Sequence, residues 1–154
     1  MPVCPAGTSG MSGNAGCGRR TDIVASLLVD TDVFIDHLRG FRELSAGRDR
    51  IHYSVVTRCE LLAGKVGPAL VAELLGPHRE LDVDRKVAER AGRIRRETGI
   101  ATPDALIAAT AIEHRLTLVT RNLKHFRAVR QLRIRRSSGE GDRRTPRNRP
   151  SSFH

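Results

Sequence analysis

Four side chains with oxygen atoms that can bind a metal lie at positions that a parallel sheet could bring together at one edge. Asp30 follows the apolar run of residues 27–29, Glu60 and Asp104 lie in segments with helical spacing, and Asn122 follows a later apolar run. In parallel α/β sheets the carboxyl ends of the strands form one edge, and ligands bind there. Carboxylates gathered at that edge raise one another's pKa unless a cation neutralises them. A hard divalent ion with oxygen ligands, Mg²⁺ or Mn²⁺, is the natural partner.

Each of these acids also has a purely structural interpretation. Asp30 or Asp32 can cap the helix that follows, and an acid in a first helical turn, such as Asp104, interacts favourably with the helix dipole. Glu60 can form a salt bridge with one of the many arginines. For a single residue these alternatives stay open. The convergence of three acids at one sheet edge favours the cation site.

The helical segments place two of the acids on faces that resemble core. On a helical wheel Glu60 shares its face with Val56 and Ala63, and Asp104 shares its face with Ala108. Acids are almost never buried unless they are paired or bound to metal. Each of the two therefore needs a partner.

The elements that must position these side chains alternate between strand and helix. Short apolar runs bounded by turn residues predict strands, and apolar residues at helical spacing predict helices. The alternation indicates an α/β fold around a mostly parallel sheet of 4–5 strands. The predicted strands cover residues 27–29, 51–53, 81–83, 116–120 and 131–134, and the predicted helices cover residues 33–39, 55–63, 68–75, 85–96 and 103–114, with a short turn or helix at 122–126.

Several helix boundaries are marked by capping residues. Ser54 and Asp84 are predicted to cap the helices that follow them, and Gly64 is predicted to end the first of these. Thr102 is predicted as a cap with Pro103 at the first helical position, because both choices are favoured there.

Length and composition are typical of one globular domain. The chain has 154 residues, of which 39% are hydrophobic and 29% are charged. Aromatic residues make up 3%, which disfavours nucleic-acid binding by base stacking. The formal net charge is +10, and +5 of it lies in residues 133–154. This basic tail either binds polyanions nonspecifically or is a solvated chain end.

Cysteine spacing and the N-terminal residues indicate the cellular compartment of the protein. The three cysteines lack the spacing of a zinc site or a disulfide framework, which favours a reducing compartment. The pair Arg19 and Arg20 precedes an apolar run too short for an export signal, and no segment has the roughly 18 apolar residues of a membrane span. We expect a cytoplasmic protein. Residues 1–22, rich in Gly and Ser, are expected to be disordered or to result from an over-long gene start.

Four stretches together carry a family resemblance. They read LVDTDVFID at 28–36, VTRCELLAG at 56–64, TPDALIAATA at 102–111 and LVTRNLKHF at 118–126. In order and spacing they resemble PIN-domain proteins of the VapC toxin type. The resemblance implies a three-layer sandwich, with the domain at residues 23–136, an N-terminal extension at 1–22 and a basic, disordered tail at 137–154.

The resemblance also implies an activity, partners and roles for individual residues. It implies a Mg²⁺-dependent endoribonuclease acting on tRNA, rRNA or mRNA, a homodimer, and a VapB-type antitoxin that occludes the acidic pocket. The fourth acidic position of the family is often Asp and here is Asn. The resemblance implies Asp30, Glu60 and Asp104 as catalytic residues, the same three with Asn122 as metal ligands, and Thr31, Asp32 and Thr120 as polar groups behind them; Arg58, Arg121, Lys124 and Arg127 are predicted to bind RNA.

Two rival interpretations remain at this point. A PIN fold with Asn122 in place of an acid could bind RNA or a partner without cleaving it. Residues 30–33 after an apolar strand also imitate the nucleophile motif of haloacid-dehalogenase-type phosphatases, with Ser54 as a second motif. That class needs an acidic pair after a late strand, where this chain has Arg121 and Asn122.

Overall fold

The computed structural model of the protein describes residues 23–41, 44 and 47–137. The predictions for residues 1–22 and for the tail beyond residue 137 lie outside this part of the chain. In chain order, the elements of the described residues are β1 (Ser26–Val29), α1 (Thr31–Leu38), β2 (Arg50–Ser54), α2 (Val55–Ala63), α3 (Pro68–Leu75), β3 (Arg79–Leu81), α4 (Arg85–Thr98), α5 (Thr102–Glu113), β4 (Thr117–Thr120), α6 (Leu123–Phe126) and β5 (Ile134–Arg136).

The strands form one parallel sheet, as predicted, in the order β3-β2-β1-β4-β5. The first strand is therefore the central one, with β2 on one side and β4 on the other. Val29 is in register with Val119, and the backbone N–H of Asp30 donates to the Val119 carbonyl at 2.9 Å. Asp30 and the end of β4 consequently meet at the carboxyl edge of the sheet.

Helices cover both faces of the sheet and give the three layers. Because side chains alternate along a strand, Leu28 packs with α4 and α5 on one face, and Leu27 and Val29 pack with α1 and α3 on the other. The two largest fully buried side chains are Phe34 and Phe126, which lie in the two hydrophobic clusters on opposite faces of the sheet. Every other member of these two clusters except Tyr53 is aliphatic, as the scarcity of aromatic residues predicts.

Two helix starts differ from the prediction. Asp30 is the N-cap of α1, so this helix begins at Thr31, two residues earlier than predicted. The predicted cap at Thr102 is wrong, because Ala101 is the N-cap of α5 and Thr102 is already helical. Pro103 still lies in the first turn, where its missing N–H costs no hydrogen bond. The predicted caps Ser54 and Asp84 are confirmed, since their side chains accept from backbone N–H groups of α2 and α4.

Two strands are displaced from their predicted positions. Strand β3 ends at Leu81, which pairs with the last residue of β2, so it precedes the predicted residues 81–83. Strand β5 begins at Ile134, because Gln131 has a positive φ of 66° that no extended strand accommodates. Helix α4 continues to Thr98, two residues beyond the prediction, and ends where Gly99 adopts a φ of 73°.

Within residues 23–41, 44 and 47–137, none of the helices is both long and apolar enough to cross a membrane.

Candidate active site

Asp30 occupies the junction between the central strand and the first helix. One of its carboxylate oxygens accepts the Thr31 N–H at 2.8 Å, and the other accepts the Thr120 hydroxyl at 2.8 Å. The residue is only 5% exposed. The two interpretations of Asp30 are therefore compatible, because the same carboxylate caps α1 and lies at the sheet edge.

A cavity of about 240 Å³ opens at this edge. The structure brings the four predicted metal ligands together around it, although they belong to separate segments of the chain. Their placement agrees with the expected convergence, and their roles stay predictions. The cavity is lined by Asp30, Thr31, Asp32, Ile35, Glu60, Asp104, Asn122, His125 and Phe126.

Glu60 is held by a hydroxyl group rather than by an arginine. Its Oε2 accepts from the Thr31 hydroxyl at 2.5 Å, and the same hydroxyl lies 3.1 Å from Thr57 Oγ1. The ion pair considered for Glu60 does not occur among the described residues. Its predicted core face is also wrong, because α2 buries Thr57 and Leu61 while Ala63 is exposed. Glu60 is thus half-buried at the cavity, beside the core face of α2.

The end of β4 is fixed to the first helix by several hydrogen bonds. The buried Thr120 hydroxyl, which donates to Asp30, accepts the backbone N–H of Asn122 at 3.0 Å. Asp32 Oδ2 accepts the backbone N–H of Arg121 at 3.1 Å. Asp32 therefore holds the turn after β4 in place, whereas the cap of α1 is Asp30.

His125 lies at the rim of the cavity and was missed by the sequence prediction. Its Nδ1 is 3.5 Å from Asp104 Oδ2 and 2.9 Å from Asn122 Nδ2. The signal was its position three residues after Asn122, one turn along the short helix α6. Asp104 itself is in the first turn of α5, on the face of the buried Ala108, as predicted.

The four predicted RNA-binding residues fall into two groups. Arg121 Nη1 donates to both carboxylate oxygens of Asp36, at 2.6 and 2.7 Å, and the Asp36 side chain is 4% exposed. Arg58 is bound to Glu80 and donates to the Tyr53 hydroxyl at 2.8 Å. Both guanidinium groups thus have structural partners. The other two, Lys124 and Arg127, are exposed and have no ion pair within the described part of the chain. RNA binding by all four stays a prediction.

Burial and like charge dominate the electrostatics of the cavity. Burial raises the pKa of Asp30 from 3.8 to about 7, and the negative charge of Asp32 adds to the rise. The hydrogen bonds from Thr120 and Thr31 oppose the shift without cancelling it. Burial also raises the pKa of Asp32, against the N–H and the charge of Arg121. A cation in the cavity would relieve both effects.

The donor set fits a hard divalent cation by its chemistry. Asp30, Glu60, Asp104 and Asn122 supply carboxylate and amide oxygens, which Mg²⁺ and Mn²⁺ prefer. Among the residues that the structure describes, no three Asp, Glu, His or Cys side chains form a ready ligand group. Glu60 and Asp104 face Thr31 and His125 instead. Thr31 and His125 each contact a single oxygen of these carboxylates, so an ion could be bound through the other oxygen or in place of these partners.

Comparison with known proteins gives consistent matches. The family model of the PIN domain matches residues 27–132. Ribonuclease VapC10 of Mycobacterium tuberculosis is 39% identical over 120 residues, covering 70% of this chain and 90% of the relative. Ribonuclease VapC19 of the same species is 35% identical over 113 residues, covering 64% and 90%.

Solved structures agree with these sequence matches. A toxin–antitoxin complex from Klebsiella pneumoniae contains a chain that is 29% identical, with a TM-score of 0.59 over 68% of this chain and 92% of that one. The DNA-bound VapBC of Salmonella typhimurium contains a chain that is 26% identical, with a TM-score of 0.64 over 74% and 98%.

Proposed function

The chain belongs to the PIN domain family, among proteins of the VapC type, and from this we propose that it is a metal-dependent endoribonuclease, the toxin of a toxin–antitoxin pair. The observation that carries the proposal is the shared cavity lined by Asp30, Glu60, Asp104 and Asn122. The reaction is hydrolysis of a phosphodiester bond in RNA.

Each ligand would have a defined part in holding Mg²⁺ or Mn²⁺. Asp30 and Asp104 would bind the ion from the sheet edge and from the start of α5, with Glu60 and Asn122 completing the set. When bound, such an ion lowers the pKa of a water molecule and stabilises negative charge on the phosphate. Thr120 donates to Asp30, and this hydrogen bond fixes the orientation of the carboxylate before any ligand arrives.

The size of the site fits the reacting group of the proposed substrate. A cavity of about 240 Å³ has room for one phosphate and an adjoining ribose. Ile35 and Phe126 provide apolar walls beside the acids. The sequence of the RNA and its class, whether tRNA, rRNA or mRNA, is left to experiment.

The proposed partner is a small antitoxin of the VapB type. The solved relatives with this fold include toxin–antitoxin complexes. A basic side chain of the antitoxin could enter the cavity and neutralise Asp30 and Asp32, whose pKa values are raised by burial. Co-expression of the antitoxin is therefore expected to suppress toxicity.

The proposal is tested by expressing the chain in bacteria and mapping new RNA 5′ ends. The wild-type chain should arrest growth and generate new ends, and purified protein should cleave the same sites with Mg²⁺ or Mn²⁺ and lose activity in EDTA. Asp30→Asn and Asp104→Asn should remove both effects while the protein remains folded. The matched control is Asp82→Asn, because Asp82 is exposed and does not line the cavity.

Three results would contradict parts of the proposal. Cleavage by a folded Asp30→Asn or Asp104→Asn protein would remove that residue from the site. Undiminished cleavage in EDTA would refute the metal. Binding of RNA without cleavage of any tRNA, rRNA or mRNA, with either ion present, would support the non-catalytic alternative instead.

A further inference from the structure

A second and larger cavity lies outside the acidic site. It is a groove of about 540 Å³ between α4, the end of α5 and residues 128–131. Its charged lining residues are three arginines, Arg90, Arg93 and Arg130, with Glu97 as the one acid. This groove, called here the arginine groove, therefore carries a positive charge that contrasts with the acidic cavity.

One of the three groove arginines is held by internal contacts, and the other two are not. The Arg90 guanidinium is bound to Glu113 and lies 3.4 Å from the side-chain oxygen of Gln131, so it is fixed between α5 and the loop. Arg93 and Arg130 are exposed, and neither has an ion-pair partner within residues 23–41, 44 and 47–137. These two guanidinium groups could therefore bind an anionic ligand without giving up an internal salt bridge.

The arginine groove and the acidic cavity are lined by neighbouring residues of one short segment. Asn122, His125 and Phe126 line the cavity, and the groove begins at Ala128. Between and beside these residues, Lys124 and Arg127 are exposed. A strand that leaves the cavity over α6 would therefore pass these two cations before it reaches the groove.

The charge of α4 extends the same surface. The helix carries six Lys and Arg residues against two Glu residues over Arg85–Thr98. A second copy of this chain placed on the helix by two-fold symmetry would bring like charges together, which is unfavourable. A repeating polyanion is the chemically matched ligand, because guanidinium groups bind phosphate with paired hydrogen bonds.

We propose that the arginine groove binds the phosphodiester backbone of the RNA substrate next to the position where it is cleaved. The inference rests on the proposed ribonuclease function. It assigns Arg93 and Arg130 to substrate binding, and neither to the chemical step. Contacts with the phosphate backbone do not distinguish between bases. The groove would therefore contribute affinity and position the RNA without sequence preference.

The test is a binding measurement on the full chain in EDTA, where cleavage is blocked. The probe is a fluorescein-labelled, mixed-sequence single-stranded RNA followed by anisotropy. The double variant Arg93→Ala, Arg130→Ala should raise Kd about tenfold, as expected for two exposed contacts. The slope of log affinity against log salt should become shallower by about 1.4, or about 0.7 for each lost phosphate contact.

The matched control is the double variant Arg85→Ala, Lys86→Ala. It removes the same charge from the first turn of the same helix, outside the groove, at two exposed positions. Its Kd and salt slope should stay close to those of the wild type. Thermal unfolding of both variants checks that the fold is retained.

Several outcomes would overturn the inference. Equal weakening in both double variants would show an effect of net charge alone, and unchanged binding in both would exclude the groove. A loss confined to duplex DNA would assign the surface to a different ligand. Wild-type protein that binds RNA through the groove but never cleaves it would refute the nuclease and leave the groove intact. A groove variant that binds RNA with wild-type affinity and still cleaves it would support the nuclease and refute the role of the groove.

Discussion

Replacing Asp30 with asparagine should stabilise the metal-free protein at neutral pH, although we expect it to remove activity. Burial and the charge of Asp32 raise the pKa of Asp30 from 3.8 to about 7. Between these two values the folded state keeps a proton that the unfolded state releases, so the stabilising contribution of this proton falls as the pH rises. It is fully present below about pH 4 and lost above about pH 7. The amide introduced by Asp30→Asn would carry no charge at any of these pH values.

The size of the change in unfolding free energy follows from the shift in the pKa of Asp30. A rise from 3.8 to about 7 corresponds to about 4 kcal/mol, at about 1.4 kcal/mol for each pH unit. The hydrogen bonds reduce the gain, because the new amide would face the Thr120 hydroxyl that now donates to Asp30. That hydroxyl can turn towards Asp32 Oδ2, which lies 3.4 Å away. We expect a net gain of about 2 kcal/mol at pH 8, half of the full value.

The assay is urea unfolding of wild type and Asp30→Asn in EDTA from pH 4 to pH 8. Linkage sets a span of about 4 kcal/mol between the acid end and pH 8, so the variant should be about 2 kcal/mol less stable than the wild type at pH 4 and about 2 kcal/mol more stable at pH 8. Adding Mg²⁺ at pH 8 should stabilise the wild type and leave Asp30→Asn nearly unchanged, since we propose that only the folded wild type binds the ion. Asp82→Asn, at an exposed position, should show no such pH dependence. A difference that is independent of pH, or a less stable Asp30→Asn protein at pH 8, would refute the reasoning.

Three further predictions address neighbouring residues. Thr120→Val keeps the shape of a buried side chain but removes the donor to Asp30, so Mg²⁺ affinity should fall at least tenfold in a calorimetric titration. The Asn122 N–H also loses its acceptor, so the free energy of unfolding should fall by about 1 kcal/mol. Arg121→Ala leaves the Asp36 carboxylate buried without its ion pair and should cost about 2 kcal/mol in urea unfolding; Arg121→Ala with Asp36→Asn should recover part of it. Phe126→Ala, at a position 1% exposed, should lower the free energy of unfolding by about 3 kcal/mol and reduce cleavage because Phe126 also lines the cavity.

The sequence was sufficient to predict the sheet and the meeting of the acids, for a physical reason. A strand followed directly by an acid, as at Asp30, fixes both the end of the strand and the edge where the acid lies. Parallel pairing of β1 with β4 then places Thr120 beside it. The periodicity of the Ala-rich helix α5 similarly predicted that Asp104 belongs to a buried face.

What the sequence did not predict depends on contacts between distant residues. The Thr31 hydroxyl binds Glu60 across 29 positions, and no local pattern distinguishes this contact from a salt bridge. The ion pair of Arg121 with Asp36 spans 85 positions and gives a predicted RNA-binding residue an internal partner. The position of β5 depended on the backbone of Gln131, a residue type without a marked preference for positive φ.

The distribution of ion pairs is itself an argument for the cation site. The chain has 27 Lys and Arg residues against 17 Asp and Glu residues, so basic partners are plentiful. Asp36, Glu80 and Glu113 each take an arginine. Asp30 and Glu60, at the cavity, accept from hydroxyl groups, and within the described ranges neither pairs with Lys or Arg. An arginine at this edge would favour the charged form of Asp30 and lower its pKa. Asp30, whose pKa is raised by burial and whose hydrogen-bond donors are neutral, could instead accept a cation from solution, as the proposed metal-dependent nuclease requires.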